Sequence, residues 1–589
     1  MCGICGEIGR EAQPDLTSLS RTLSAMHPRG PDAGGVFAQG RFAFGHRRLS
    51  ILDLSAASQQ PMVDSELGLS IAFNGCIYNF RALRAELQAK GYRFFSEGDT
   101  EVILKAYHAW GIGCVRRFKG MFAFAIAERD SGRVVLARDR LGIKPLYYAD
   151  NGQRFRFASS LPALLAGGDI DRGLDPVALH HYFSFHAAVP APRTILRGVK
   201  KLAPATILTI EPDGRPHSET YWDLHVGEAD ADRHLGEQDW VEAVTEALTL
   251  AVERRLVADV PVGVLLSGGL DSSLVVALLA KLGHQDIRTF SVGFESVGSH
   301  EGNEFRYSDL VAKHFKTDHR QIRVESNRAL SALPDAIRAM SEPMVSHDSV
   351  AFYLLAQEVS RHVKVVQSGQ GADEIFGGYS WHPPFLGLND AGDEYRRRYF
   401  DWSHADLQQL LAPDLIGADH SGDFVDAFFA DVPSPAAIDK VLEIDTKIML
   451  VDDPVKRVDN MTMAFGLEAR VPFLDHDLVE LAARVPAALK VRDGGKYVLK
   501  QAARKLVPAA VIDRPKGYFP VPALRYLRGP FLDYVHEIFA QPSARARGLY
   551  QRDFIDHMLA NPEAEMSPKG HSRLWQAALL EGWLQAQGI

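Results

Sequence analysis

The run Val260-Pro-Val-Gly-Val-Leu-Leu-Ser-Gly-Gly-Leu-Asp-Ser-Ser-Leu274 admits few folds. Val260 to Leu266 has the Val- and Leu-rich character of a strand buried on both faces, and Leu274 to Leu282 stays apolar for the length of a helix. Ser267 to Ser273 is therefore a strand-to-helix turn. Gly268 and Gly269 let the backbone approach a ligand. The hydroxyls of Ser267, Ser272 and Ser273, with the free N–H groups of the helix start, form an anion cradle. The turn lacks the Gly-Lys-Ser/Thr ending of a Walker loop. It carries instead a carboxylate, Asp271, which a phosphate-bound metal ion explains best.

The wording Ser-Gly-Gly-Leu-Asp-Ser-Ser resembles the pyrophosphate-binding loop of ATP pyrophosphatases, which adenylate a substrate and release pyrophosphate. That resemblance implies ATP and Mg2+. The following segment, Ile287 to Phe294, reads as the second strand of a βαβ unit. In the related enzymes its Ser-Val-Gly backbone holds adenine, which places Val292 and Leu266 at the nucleotide. A helix at 351–362 and a strand from Val363 to Gln367 deliver a second glycine-rich loop, Ser368-Gly-Gln-Gly-Ala-Asp-Glu374. There Ser368 and Gly369 are expected at the nucleotide and Asp373 beside Asp271 at the metal. An ordinary surface reading of Asp373-Glu374 is the plainer alternative.

At 589 residues the chain exceeds one core, and two or three domains are expected. It is 46% hydrophobic and 24% charged with a net charge of −9, a balance without general attraction for nucleic acid or anionic membranes. The expectation is a cytoplasmic protein: no stretch approaches eighteen consecutive apolar residues, and the first residues lack the pattern of a signal peptide. Four cysteines, all before residue 115, do not make a disulfide framework. Cys2 and Cys5 form a C-x-x-C whose redox or zinc reading lacks a second pair.

The opening Met-Cys-Gly-Ile favours removal of the initiator Met, which leaves Cys2 with its own α-amino group as a base. A small buried Cys is the plainer reading. The stretches Arg29-Gly-Pro-Asp32, Gly45-His-Arg-Arg-Leu-Ser-Ile51, Phe73-Asn-Gly-Cys-Ile-Tyr-Asn79 and Gly98-Asp-Thr-Glu101 resemble, in order, the glutaminase domain of the N-terminal-nucleophile amidotransferases. The resemblance implies that Arg48 and Asp99 grip glutamine while Asn74 and Gly75 form the oxyanion hole. An Asn-Gly pair is also a common hairpin turn. The family usually has Glu where this chain has Cys76. Antiparallel strands are expected at Phe122 to Ala127, Val134 to Ala137 and Phe155 to Ala158, with a helix at 99–110.

The expected architecture is an αββα N-terminal-nucleophile hydrolase sandwich over residues 2–210 and a linker over 211–240. An α/β doubly wound parallel-sheet ATP pyrophosphatase domain with added helices follows over 241–589, opening with an amphipathic helix at 241–258. The charged stretch Asp452 to Asp475 resembles the part of asparagine synthetases that closes the synthetase site, and it offers Lys456 or Arg457 to stabilise the reacting phosphorus or acyl group. A solvated helix face is the alternative.

Nearly the whole chain thus resembles the glutamine-hydrolysing asparagine synthetases, in which ammonia from the first site reaches an acyl-adenylate at the second. Two departures bear on the acceptor. Gln370 stands where those enzymes usually carry Glu, and Pro515 to Pro522 differs near the presumed acceptor entrance. These stretches, with Ser159 to Leu165, His181 to Arg193 and Glu342 to Asp348, resemble the N-acetylglutaminylglutamine amidotransferases. That acceptor lacks the free α-ammonium of aspartate, which suits Gln370, with Glu374 beside it in the acceptor loop. Asparagine synthetase is the second reading, a non-catalytic glutamine or nucleotide sensor the third, and a tRNA-modifying enzyme the fourth. Small molecules are the expected partners; the sequence leaves the oligomeric state open, with a homodimer admitted.

Overall fold

The computed structural model describes residues 2–10, 12–295, 303–514, 524 and 527–589. Alternating inward apolar residues build two six-stranded antiparallel sheets in the first part of the chain. One runs in the order Lys200–Lys201, Tyr147–Asp150, Arg154–Ala158, Gly3–Gly9, Phe42–Arg48, Ala33–Gln39. The other runs Pro216–Thr220, Thr206–Ile210, Val134–Arg138, Gly120–Glu128, Leu69–Ile77, Met62–Asp64. Ile4, Ile8, Phe44, Ala72, Ala123 and Phe157 fill the space between them. Helices Leu16–Ala25 and Leu161–Gly167 cover the first sheet and Asp99–Trp110 packs on the second, giving four layers, αββα.

The linker is shorter than the sequence suggests. Residues 211–215 form a hairpin turn, and the polar, exposed segment Pro216–Thr220 is an edge strand registered on Thr206–Ile210. Its outward polarity reads as linker composition, yet an edge strand needs only one neighbour to satisfy its backbone.

The second part holds a five-stranded sheet, all parallel, in the order Asp318–Val324, Arg288–Phe294, Val262–Leu265, Val365–Gln367, Glu468–Arg470. Val264 and Leu266 join one apolar cluster and Leu265 the other, as expected of a strand covered on both faces. Helix Leu270–Lys281 covers one face and Asp348–Val359 the other. Strand order reverses between Val262–Leu265 and Val365–Gln367, so the loops leaving these two strands diverge around a crevice, the usual ligand position of an open α/β sheet.

The two parts share one core. Cys76, Tyr78, Met121 and Ile143 of the first pack in the same cluster as Leu266, Phe473 and Leu474 of the second. Helical residues 445–463 run along this boundary, with π-helical turns at Asp445–Met449 and Val451–Val455 leading into Lys456–Met463.

Candidate active sites

Strands Gly3–Gly9 and Leu69–Ile77 bring Cys2 to Asn74. The Cys2 backbone nitrogen donates to Asn74 Oδ1 at 2.9 Å, which takes up the oxygen end of the amide. Asn74 Nδ2 is buried without a hydrogen-bond partner. An unsatisfied buried donor on the residue bonded to the Cys2 backbone suits an oxyanion hole, but Asn74 itself is fully buried and does not line the pocket at Cys2. Asn74 and Gly75 lie inside the strand, paired with Ala123 and Phe122, and do not form a hairpin turn. At Gly75 an added Cβ would lie 2.1 Å from the Met121 carbonyl oxygen, so only glycine brings the strand this close.

Cys2, Arg48, Gly75, Cys76 and Asp99 line one pocket. Arg48 donates to the carbonyls of Ser55, at 2.9 Å, and Asp53, which holds the guanidinium in place. Asp99 opens its helix and accepts from the Ile77 amide at 2.9 Å, while burial pushes its carboxyl up to about 6. Burial also raises the Cys2 thiol, and no histidine lines the pocket among the described residues. The sulfur has no side-chain base there.

All four cysteines are free, and no potential metal cluster among the described residues includes one. The Cys5 thiol is fully buried beneath Gly45 and raised by burial to about 12, a packing position.

The second site is the crevice itself, a cavity of about 850 Å³. Leu266, Ser267, Gly269, Asp271, Ser272, Val292, Ser368, Gly369, Gln370, Asp373 and Arg457 line it. Helix Leu270–Lys281 begins early enough that Asp271 and Ser272 lie in its first turn. Ser267 Oγ accepts from the Gly269 amide at 3.2 Å and meets Ser272 Oγ at 3.1 Å. The two loops touch: a Cβ on Gly369 would approach the Asp271 side chain and the Ser272 amide to 3.0 Å each. Gly268 turns at φ +78° with its back to Ser308, and it does not line the cavity.

Three further expected residues are placed elsewhere. Ser273 is fully buried one position deeper in the helix, and its hydroxyl does not reach the cavity. Glu374 is buried and accepts from Tyr379 Oη at 2.7 Å; burial and neighbouring Asp373 push its carboxyl up. Lys456 faces the boundary between the two parts, 3.6 Å from Glu342 and 3.8 Å from Asp452. Successive helical residues point about 100° apart, so Arg457 turns to the cavity and Lys456 away. Arg457 pairs with Asp453 at 2.7 Å and faces Asp348, whose carboxyl burial raises to about 6.

The cation missed from sequence is Lys496. Its Nζ lies 2.6 Å from Asp271 and 2.9 Å from Asp373, so these carboxylates converge on one point. Lys496 adopts a left-handed conformation at φ +55° after Gly494 and Gly495; that Gly-Gly-Lys triplet was the available signal. Asp348 and Tyr379 also line the cavity. Two hard oxygen donors aimed at a shared point beside a phosphate-type loop fit Mg2+.

Between the sites runs a buried chain of charges. Arg29 donates to the Cys2 carbonyl at 3.3 Å and pairs with Asp459 at 2.9 Å; Lys144 lies 3.4 Å from the same carboxylate. Lys201 joins Asp452 and Glu342 at 2.9 Å each. Asp452, Lys456 and Asp459 follow i, i+4, i+7 along one helix face, which carries this chain past the amidotransferase part.

A family model for asparagine synthase matches residues 243–585, and one for a glutamine amidotransferase domain matches residues 1–222. The chain is 31% identical to asparagine synthetase [glutamine-hydrolyzing] 1 of Bacillus subtilis, over 99% of this chain and 96% of the relative. It is also 31% identical to a putative asparagine synthetase [glutamine-hydrolyzing] of Mycobacterium bovis, over 99% and 97%. Amidase chry2 of Gibberella zeae is 26% identical over 93% of each chain. Fold and kinship define a glutamine-dependent carbon–nitrogen ligase built from an N-terminal-nucleophile amidotransferase domain and an ATP pyrophosphatase domain. The chain belongs to the asparagine synthase family, whose members use ATP. Among the described residues, no helix is long and apolar enough to cross a membrane.

Proposed function

We propose that the chain hydrolyses glutamine at Cys2 and transfers the ammonia to a carboxylate adenylated in the crevice, the acceptor being N-acetylglutaminylglutamine. The observation that carries the two-site reading is the pairing of a pocket lined by Cys2, Arg48 and Asp99 with a phosphate-type crevice across one shared core.

At the first site the Cys2 thiol attacks the glutamine amide carbon, with the α-amino group freed by removal of Met1 as its base; the C–N bond then breaks, ammonia leaves with the proton that base returns, and water hydrolyses the thioester to glutamate. Asn74 Nδ2 and the Gly75 amide receive the oxyanion; Arg48 holds the α-carboxylate and Asp99 the α-ammonium. At the second, the acceptor carboxylate attacks the α-phosphorus of ATP and pyrophosphate leaves toward Ser267, Gly269 and Ser272. Asp271 and Asp373 would hold Mg2+, which neutralises phosphate charge when bound. Arg457 and Lys496 face the developing charge. Ammonia then displaces AMP from the acyl-adenylate, having crossed the boundary along the face of Asp459, Lys456 and Asp452.

The acceptor reading rests on Gln370 in the cavity wall and on the convergence of the stretches that depart from asparagine synthetases. His186 and His347, from two of those stretches, gather about His571 with ring centroids 4.4 and 5.9 Å apart, and His186 is close enough to lower the carboxyl of cavity residue Asp348. His186 Nδ1 is anchored by Asp401 at 2.5 Å. The stretch Pro515 to Pro522 lies outside the described residues. Pyrophosphate release with aspartate, N-acetylglutaminylglutamine and other small carboxylates tests the assignment. Release triggered by the dipeptide alone supports it; a higher kcat/KM for aspartate makes the chain an asparagine synthetase.

A further inference from the structure

The amidotransferase pocket contains two residues that its own domain does not supply. Glu468 and Arg470, on the last strand of the parallel sheet, line it together with Cys2, Arg48 and Asp99. Position 76, where the resembled amidotransferases carry a carboxylate, holds a buried thiol that cannot accept from an ammonium ion at neutral pH.

Glu468 is 1% exposed, and although burial alone raises a carboxyl, the positive charges of the chain's amino terminus first, then of Arg470 and Lys144, hold this one down to about 2. Its position is fixed by Arg470, whose Nε meets Glu468 Oε1 at 2.5 Å; the Arg470 guanidinium is itself tied to the carbonyls of Arg255 and Val257 at 2.8 and 2.7 Å. Burial raises Cys2, Cys76 and Asp99 most, the negative charge of Glu468 raises all three further, and Arg470 lowers Cys76 and Asp99. Two buried carboxylates, Asp99 and Glu468, therefore flank the same small space next to the nucleophile. Such a space suits a primary ammonium group.

We infer that Glu468, carried by the synthetase domain, supplies the carboxylate that position 76 lacks, so that the α-ammonium of glutamine is held between Asp99 and Glu468. This rests on glutamine being the substrate at Cys2. It makes the glutamine site a composite of both domains, in contrast with a pocket completed inside the amidotransferase fold.

The probe is glutaramate, which is glutamine without its α-amino group. Hydrolysis of glutamine and of glutaramate is measured for the full-length enzyme and for Glu468→Gln. A lost charged hydrogen bond lowers kcat/KM for glutamine by about tenfold to a hundredfold, while glutaramate changes by less than about threefold. The acidic limb of the glutamine profile, set by Asp99, moves to lower pH because a neighbouring negative charge is gone. An equal loss on both substrates overturns the inference and leaves Glu468 a structural partner of Arg470. Should Glu468→Gln fail to fold, Glu468→Asp keeps the charge on Arg470 but withdraws the carboxylate by one methylene; the same selective loss on glutamine is expected, and an unchanged ratio of the two substrates overturns the inference. If Cys2→Ala still hydrolyses glutamine, the substrate reading itself has failed, a result separate from either outcome for Glu468.

Discussion

The Ser368 amide donates to the Arg470 carbonyl at 2.8 Å, and the side chains of these two residues serve different pockets. Ser368 opens the second glycine-rich loop, while Arg470 meets Glu468 in the pocket lined by Cys2. Strands Val365–Gln367 and Glu468–Arg470 are in parallel register, so a displacement of the loop is expected to be felt one strand away in the Cys2 pocket. Occupation of the crevice by ATP and acceptor is accordingly predicted to raise kcat/KM for glutamine by about fivefold or more, and a non-hydrolysable glutamine analogue is predicted to tighten ATP by the same factor. Glutaminase rates with and without ATP, and ATP titrations with and without the analogue, check both halves; independence in both contradicts the coupling.

In the proposed glutamine site Asp99 sets a pH limit. Its carboxyl titrates at about 6 in the free enzyme because it is buried, and only the ionised form holds an ammonium ion. Below that pH, kcat/KM for glutamine is expected to fall about tenfold per unit. The same shift acts on stability with the opposite sense: the folded state holds the Asp99 proton more tightly than the unfolded chain, so this group favours folding least above pH 6. Asp99→Asn is predicted to remain folded and to lose glutamine hydrolysis. A flat profile between pH 5 and 7 contradicts this role.

Lys496 sits where Asp271 and Asp373 converge, within reach of the phosphate loop. Replacing it with Ala is expected to lower acceptor-dependent pyrophosphate release by about a hundredfold to a thousandfold, with glutaminase activity within about threefold of wild type. Equal loss in both assays indicates a structural role instead.

Asp459 joins Arg29 and Lys144 in the buried charge chain between the sites. Asp459→Asn leaves two buried cations with a weaker partner, and about 3 to 5 kcal/mol of stability is at stake when such a partner is lost. The functional expectation is leakage: glutamine consumed per amide formed rises severalfold above one. A ratio that stays near one removes this face from the ammonia path.

Much of this was legible in the chain itself. The strand-loop-helix at 260–274 announced the parallel sheet because burial on both faces leaves a continuous apolar strand, and helix Asp99–Trp110 matches its expected bounds. Local signals failed where geometry is set by distant chain. Lys456 and Arg457 are equivalent in sequence, and only helix phase separates the one facing the boundary from the one facing the cavity. Glu468 reaches its site from a strand far along the chain, so no spacing reveals it, and for Lys496 the only local mark is the Gly-Gly-Lys triplet at 494–496. The edge strand Pro216–Thr220 was invisible because its exposed polar residues carry no alternating pattern.

The most direct test of the account is amide formation by Cys2→Ala with either glutamine or ammonium as nitrogen source. The prediction is loss of glutamine-driven synthesis by a factor of about a thousand or more, with ammonium-driven synthesis and pyrophosphate release within about threefold of wild type. If glutamine still drives synthesis in Cys2→Ala, or if the variant loses the ammonium-driven reaction as well, the division of labour between the two sites is wrong.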